Sequence, residues 1–170
     1  MARRVPYPVL LLIVFLWLPG LLIAANTTPA PKPGFQGIPW GSALAEFSQL
    51  VLVEPDGRVD IYAYKEGPPK FANEPVDFIK LYTIDAQFAR VMIRYRNEDT
   101  HNRIKQALES EFGKIRHSPG SMIRGLNQEY SWRLEDTEIS LSYRELGERG
   151  LLTIQSRILA PRFLELLSDH

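Results

Sequence analysis

Residues 87–96, QFARVMIRYR, set Ala89, Val91, Ile93 and Tyr95 against Phe88, Arg90, Met92, Arg94 and Arg96 on alternate sides. A period of two belongs to an extended strand with one buried face, because successive side chains of a strand point to opposite faces. The same reading applies to residues 76–84, VDFIKLYTI, which lie close enough across Asp85-Ala86 to form a hairpin with 87–96. Upstream, the turn sequence EPDG precedes RVDIYAYK, where Val59, Ile61 and Ala63 alternate with Asp60, Tyr62 and Tyr64. The prolines of KEGPPKFANEP exclude a central strand there and predict a loop. Three further strands are expected within residues 129–158. Tyr130, Trp132 and Leu134 alternate with polar residues, Ile139, Leu141 and Tyr143 do the same, and Leu152 with Ile154 continues the sheet.

Helices are expected at three places. Residues 97–113 have Asn97 or Asp99 as a cap, acids in the first turn, Ile104, Leu108 and Phe112 every four residues, and Gly113 as a stop. Pro39 and Gly41 hold the chain out of helix, so Trp40-Gly41-Ser42 reads as a helix start. In that reading Ser42 is the N-cap, and Leu44, Phe47 and Leu50 form the apolar face of a helix beginning at Ala43. Trp40 is expected to pack against that helix or the sheet below. A short C-terminal helix starts near Pro161 and carries Phe163, Leu166 and Leu167. The order predicts an α+β domain with a largely antiparallel sheet and helices packed on one face, arranged as two tandem αβββ units.

The N-terminus carries Arg3 and Arg4, an apolar run from Val9 to Leu18, a Pro19-Gly20 break, and Ala24-Ala25. This is the three-part plan of a secretory signal peptide, with cleavage expected after Ala25. The alternative is an uncleaved anchor over residues 9–25, at the short edge of what crosses a hydrocarbon core. Residues 26–34, NTTPAPKPG, read as a Pro-rich disordered linker, which leaves 35–170 as a single domain. Cleavage removes two of the 20 basic residues and none of the 20 acidic ones. The resulting slight negative charge argues against a nucleic-acid partner, whose affinity rests on neutralising phosphates. The chain has no cysteine, which excludes disulfides, thiol catalysis and a lipidated cysteine anchor. A periplasmic or secreted protein stabilised by an ordinary hydrophobic core is the expectation.

Catalytic patterns are missing. The sequence contains no His-Glu-x-x-His, no Gly-x-Ser-x-Gly, no phosphate-binding Gly-x-x-x-x-Gly-Lys and no dinucleotide fingerprint. Of three histidines, His170 is terminal, His117 falls in a loop, and His101 is expected to be exposed in the first turn of the central helix. A metal or hydrolytic site would need His101, His117 and acids such as Asp99 to converge, and their spacing gives no reason to expect it. No catalytic residue, metal or cofactor is therefore assigned. Arg90, Arg94 and Arg96, interleaved with Phe88 and Met92, form a stripe on one strand face and are the candidate binding residues. Guanidinium groups so placed suit an anionic partner, and the bland alternative is a solvated face paired with neighbouring acids. Tyr62, Tyr64, Tyr82 and Tyr95 are expected to be half-buried strand tyrosines.

The pattern Phe35-x-Gly37-Ile38-Pro39-Trp40-Gly41-Ser42, together with Glu111-Phe112-Gly113 and Tyr130-Ser131-Trp132, resembles a group of uncharacterised exported bacterial proteins. Those proteins open on Gly-Ile-x-Trp-Gly after the signal peptide. The element order is also similar to small αβββ-repeat envelope modules, such as outer-membrane assembly lipoproteins and β-lactamase-inhibitor-like domains. The resemblance implies an envelope protein and no particular catalytic residue.

These features lead to the expectation of a non-enzymatic binding or assembly module, monomer or homodimer, engaging an envelope protein or an anionic lipid or glycan. The alternatives are an envelope hydrolase with a His/carboxylate site and a structural protein held by its N-terminal helix.

Overall fold

The computed structural model describes residues 33–115 and 127–168, all within one compact unit, Pro31–His170. The apolar N-terminal run, the expected cleavage site, residues 26–32, His117 and His170 lie outside the described residues.

The described residues open with a two-stranded hairpin, β1 (Gly34–Phe35) and β2 (Ile38–Pro39), and then a single 3-10 turn at Leu44–Glu46. Seven strands follow: β3 (Leu50–Asp56), β4 (Val59–Tyr64), β5 (Phe78–Ile84), β6 (Gln87–Arg96), β7 (Asn127–Arg133), β8 (Thr137–Arg144) and β9 (Arg149–Ser156). Helix α1 (Glu98–Phe112) separates β6 from β7, and α2 (Arg162–Ser168) ends the described chain. The seven strands form one sheet in the order β3-β4-β5-β6-β9-β8-β7, with every neighbouring pair antiparallel. The expected α+β fold with a largely antiparallel sheet is what the chain forms.

One face of the sheet is the main core. Val91, Ile93 and Tyr95 of β6 are fully buried with Leu81, Leu141 and Leu152 from the neighbouring strands. Helix α1 covers them with Ile104 and Leu108, two of the residues its four-residue repeat placed on one face. Its ends match the sequence reading. The Asn97 side chain accepts a hydrogen bond from the Thr100 amide at 2.8 Å, Glu98 and Asp99 occupy the first turn, and Gly113 stops the helix at φ +92°.

Two expectations are corrected. The helix predicted from Ala43, with Ser42 as its cap, is the single 3-10 turn, and no side chain caps it. The backbone around Ser42 is already engaged: the Gly41 amide donates to the Phe88 carbonyl at 2.8 Å, and the Phe88 amide donates to the Ser42 carbonyl at 2.9 Å. Those bonds tie the segment to the start of β6, and the apolar run Leu50-Val51-Leu52-Val53 is drawn into an edge strand. The second correction concerns helices on one face. A bulge places Tyr82 opposite Arg90 and Thr83 opposite Phe88, leaving Ala89 as the extra residue. Ala89 joins Ile84, Leu159 and the α2 residues Phe163 and Leu166 in a second, smaller core. Ile84 alternates with the main-core side of β5, so α2 sits on the face opposite α1.

The Asp85-Ala86 hairpin is confirmed. Both turn residues have positive φ, +50° and +63°, as a two-residue turn of the I′ type requires. Arg58 grips Asp85 with two hydrogen bonds, at 2.7 and 2.8 Å. Ala86 is exposed and holds a conformation that glycine adopts with less strain. Ala86→Gly is expected to raise stability by about 0.5 to 1 kcal/mol, the reverse of the usual sign for that substitution in a strand or helix. Urea denaturation of the two proteins checks it, and a loss of stability would contradict the strain argument.

Candidate functional site

Because cross-strand partners share a face, the strand pairings lay out the surface opposite α1 row by row. One row runs Ala63, Lys80, Met92, Thr153 and Ser140 across β4, β5, β6, β9 and β8. The next is Phe78, Arg94, Leu151 and Ser142, and a third is Arg96, Arg149 and Arg144. The three strand-borne arginines singled out from the sequence share this face, but their surroundings differ.

Arg90 is packed in. Its guanidinium lies over the Phe163 ring at 4.1 Å, and its Nε donates to Gln155 Oε1 at 3.0 Å. Burial lowers its pKa, with nearby Tyr82 acting in the opposite sense. This arginine holds α2 to the sheet. Arg96 is exposed and bonds Asp77 through Nε at 3.0 Å. Arg94 lines a groove of about 360 Å³ with Arg144 and Arg149, over a floor that includes Met92, Gly150 and Leu151.

Arg144 and Arg149 are direct partners across β8 and β9, and Arg149 also faces Arg96 across β9 and β6. Like charges directly opposite on one face destabilise a sheet. Among the described residues, no side-chain hydrogen bond or ion pair engages Arg94, Arg144 or Arg149. Glu145 and Glu148 sit in the turn joining β8 to β9, yet neither forms an ion pair with these arginines. Three cations converge here without a countercharge. Arg144 and Arg149 escaped the sequence reading because they flank a turn sequence and no local period links them to Arg94. The available signal was the spacing of the two arginines around Glu145-Leu146-Gly147-Glu148, which a hairpin brings face to face.

Trp40, Gly41 and Ser42 have a structural role. The Trp40 ring packs on Phe88 with centroids 4.7 Å apart, and its Nε1 donates to Thr137 Oγ1 at 2.9 Å. Trp40 therefore packs against the sheet, one of its two expected positions. It links the N-terminal hairpin to β6 and to the start of β8.

His101 is not exposed, contrary to the sequence reading; it is fully buried. The rings of Tyr143, Tyr130 and Tyr95 lie around it, with centroids at 4.8, 5.9 and 6.1 Å. Its Nδ1 shares a 2.7 Å hydrogen bond with the Tyr95 hydroxyl, while Nε2 has no partner in hydrogen-bond geometry. Burial holds its pKa down at about 4, nearby Lys105 acts in the same sense, and the Gln128 side chain opposes them. A histidine so enclosed is a neutral core residue and presents no ring nitrogen to a substrate. Among the described residues, no three His, Asp or Glu side chains are grouped so that they could hold a metal ion.

No protein-family model, curated protein or solved structure matches this chain. Among the described residues no helix is long and apolar enough to cross a membrane.

Proposed function

We propose that this is an exported, non-enzymatic binding or assembly module that engages an anionic component of the cell envelope through the open face of its sheet. The observation that carries the reading is the convergence of Arg94, Arg144 and Arg149, without countercharge, in one groove. Cationic groups held next to one another at the expense of sheet stability are explained by an anion that completes them. Export rests on the signal-like N-terminus and agrees with the complete lack of cysteine.

Two tandem units are part of the same proposal. The meander β4-β5-β6 and the meander β7-β8-β9 each end on a strand at the sheet centre, and those two strands pair antiparallel. That arrangement supports a pseudo-twofold between the two meanders, with α1 at the start of the second and, at the start of the first, the 3-10 turn followed by the additional edge strand β3. We propose a kinship with αβββ-repeat envelope modules and with exported proteins opening on Gly-Ile-x-Trp-Gly on the same grounds.

The test compares wild type with an Arg94→Ala/Arg144→Ala/Arg149→Ala variant for retention of extracted envelope components at low and moderate salt. Wild type is expected to retain an anionic component, and the variant to lose at least ten-fold of that binding while its melting temperature stays the same or rises as the like-charge repulsion is relieved. Equal retention by the two proteins would sink the proposed site. Intact mass of the exported protein checks processing, with loss of residues 1–25 as the expected result.

A further inference from the structure

The arginine groove does not end at Arg94. On the same face, directly across the β5–β6 pair, lies a second depression of about 400 Å³, lined by Val53, Ala63, Phe78 and Lys80, with Gly67 and Pro68 from the loop. Phe78 is the cross-strand partner of Arg94, and Lys80 is the partner of Met92, so the two hollows adjoin. Their characters differ. The first has three free guanidinium groups at its rim, whereas the second is lined mainly by apolar side chains, and the Lys80 ammonium lies over the Phe78 ring at 5.8 Å. Beyond it, edge strand β3 leaves Val51, the partner of Ala63, and Val53 exposed at 40% and 50%.

From Arg144 on β8 to Ala63 on β4 the surface crosses four strand spacings, about 19 Å at the usual separation. The sequence of surfaces along that line is cationic rim, then Met92 and Leu151, then Phe78, then Ala63 and Val53. A small free anion would use only the rim. An acidic peptide would place its repeated charges over the apolar part of the trough, where Glu54 adds an unfavourable carboxylate.

We infer that the ligand of this face is a single-chain anionic amphiphile, with its phosphate or carboxylate head at Arg94, Arg144 and Arg149 and its hydrocarbon chain across Met92 and Phe78 toward Val53. The inference rests on the anionic-ligand reading above and specifies its ligand class. The head takes charge-assisted hydrogen bonds from the guanidinium groups, and the chain removes apolar surface of the sheet from water.

The test titrates the full chain with decyl phosphate, hexyl phosphate, inorganic phosphate and an acidic decapeptide, each below any micelle concentration. Affinity is read by calorimetry and the site by backbone amide chemical shifts. An open trough covers about half of each methylene, so each adds roughly two-fold to affinity, and decyl phosphate is expected to bind at least ten-fold tighter than hexyl phosphate. Arg144→Ala/Arg149→Ala should weaken both alkyl phosphates at least ten-fold. Met92→Glu should weaken decyl phosphate several-fold more than inorganic phosphate. Each variant keeps the apolar N-terminal run, so those losses would locate binding on the sheet. The chain-length series on the unaltered protein, read with amide shifts on β5, β6 and β9 and not on residues 9–25, decides the matter even if a variant fails to fold.

Equal affinity for decyl, hexyl and inorganic phosphate, with shifts confined to the arginines, overturns the amphiphile and leaves the anionic reading standing. Binding of the peptide without binding of alkyl phosphates overturns it in favour of a protein partner. Binding of none of the probes removes both readings.

Discussion

Acidification from pH 7.5 to pH 5 is expected to remove about 2 kcal/mol of stability through His101 alone. The ring is fully buried among Tyr95, Tyr130 and Tyr143, and burial lowers its folded-state pKa to about 4 from an ordinary value of 6.5. A histidine with a depressed pKa binds protons more readily when unfolded. Its neutral form therefore supports the fold fully above pH 6.5, and that support is lost progressively as the pH falls toward 4. For a domain of this size the loss amounts to a fall in melting temperature of about 4 to 8 °C. Glu74 and Asp85, whose carboxyl pKa values are lowered chiefly by hydrogen bonds from Arg103 and Arg58, act in the same sense, but only below their ordinary values of 4.5 and 3.8. Among the described residues with a shifted pKa, the interval from pH 6.5 to 5 thus isolates His101.

The matching control is the double variant His101→Leu/Tyr95→Phe. It removes both partners of the 2.7 Å hydrogen bond together and leaves no buried orphan from that pair. Its stability should be nearly flat between pH 7.5 and 5. A wild-type profile that is equally flat would show that the ring is protonated at no cost to the fold, and the buried-neutral reading would then fail.

Gly150→Ala is expected to lower stability by about 3 kcal/mol or more, a large part of the margin of an ordinary domain. Gly150 lies on β9 directly across from Tyr95 on β6, and a Cβ there would overlap the Tyr95 ring itself. The ring cannot step aside easily. It is fully buried, and its hydroxyl is bonded to His101. An aromatic side chain lying over a cross-strand glycine both fills the space a side chain would take and shields the backbone. Gly147→Ala is the contrast: its φ is +92°, and an added methyl group would meet no atom closer than 3.9 Å. Only the local backbone strain of about 1 to 2 kcal/mol applies there. The two effects are separable by a double-mutant cycle. Tyr95→Leu should recover part of the loss caused by Gly150→Ala and none of that caused by Gly147→Ala. Additive behaviour at Gly150 would rule out the ring as the cause.

Much of this architecture was legible because its signals are local. The sequences of β4 to β9 alternate with a period of two, although the bulge at Ala89 breaks the pattern in β6, turning Phe88 into the main core and Ala89 to the other face. The Asp85-Ala86 hairpin and the Asn97 and Gly113 ends of α1 depend on a few neighbouring residues. Where the first helix was expected, local propensity was outweighed by pairing. The backbone at Gly41 and Ser42 is bonded to Phe88, more than 40 residues away, and Leu50 to Asp56 joined the sheet through β4. His101 reads as exposed because acids and Asn102 surround it in sequence, yet the rings that enclose it come from β6, β7 and β8.

The arginines divide along the same line. Their chemistry and alternation place Arg90, Arg94 and Arg96 on one strand face from sequence alone, and the lack of cysteine dictates a fold held by its hydrophobic core. Only the tertiary structure decided which of them is free. Arg90 is taken by Phe163 of α2 and Arg96 by Asp77, while the order β6-β9-β8 brings Arg149 and Arg144 beside Arg94. The physical reason is range. Period and charge are written along the chain, whereas the countercharge of an arginine depends on which distant strands lie next to it.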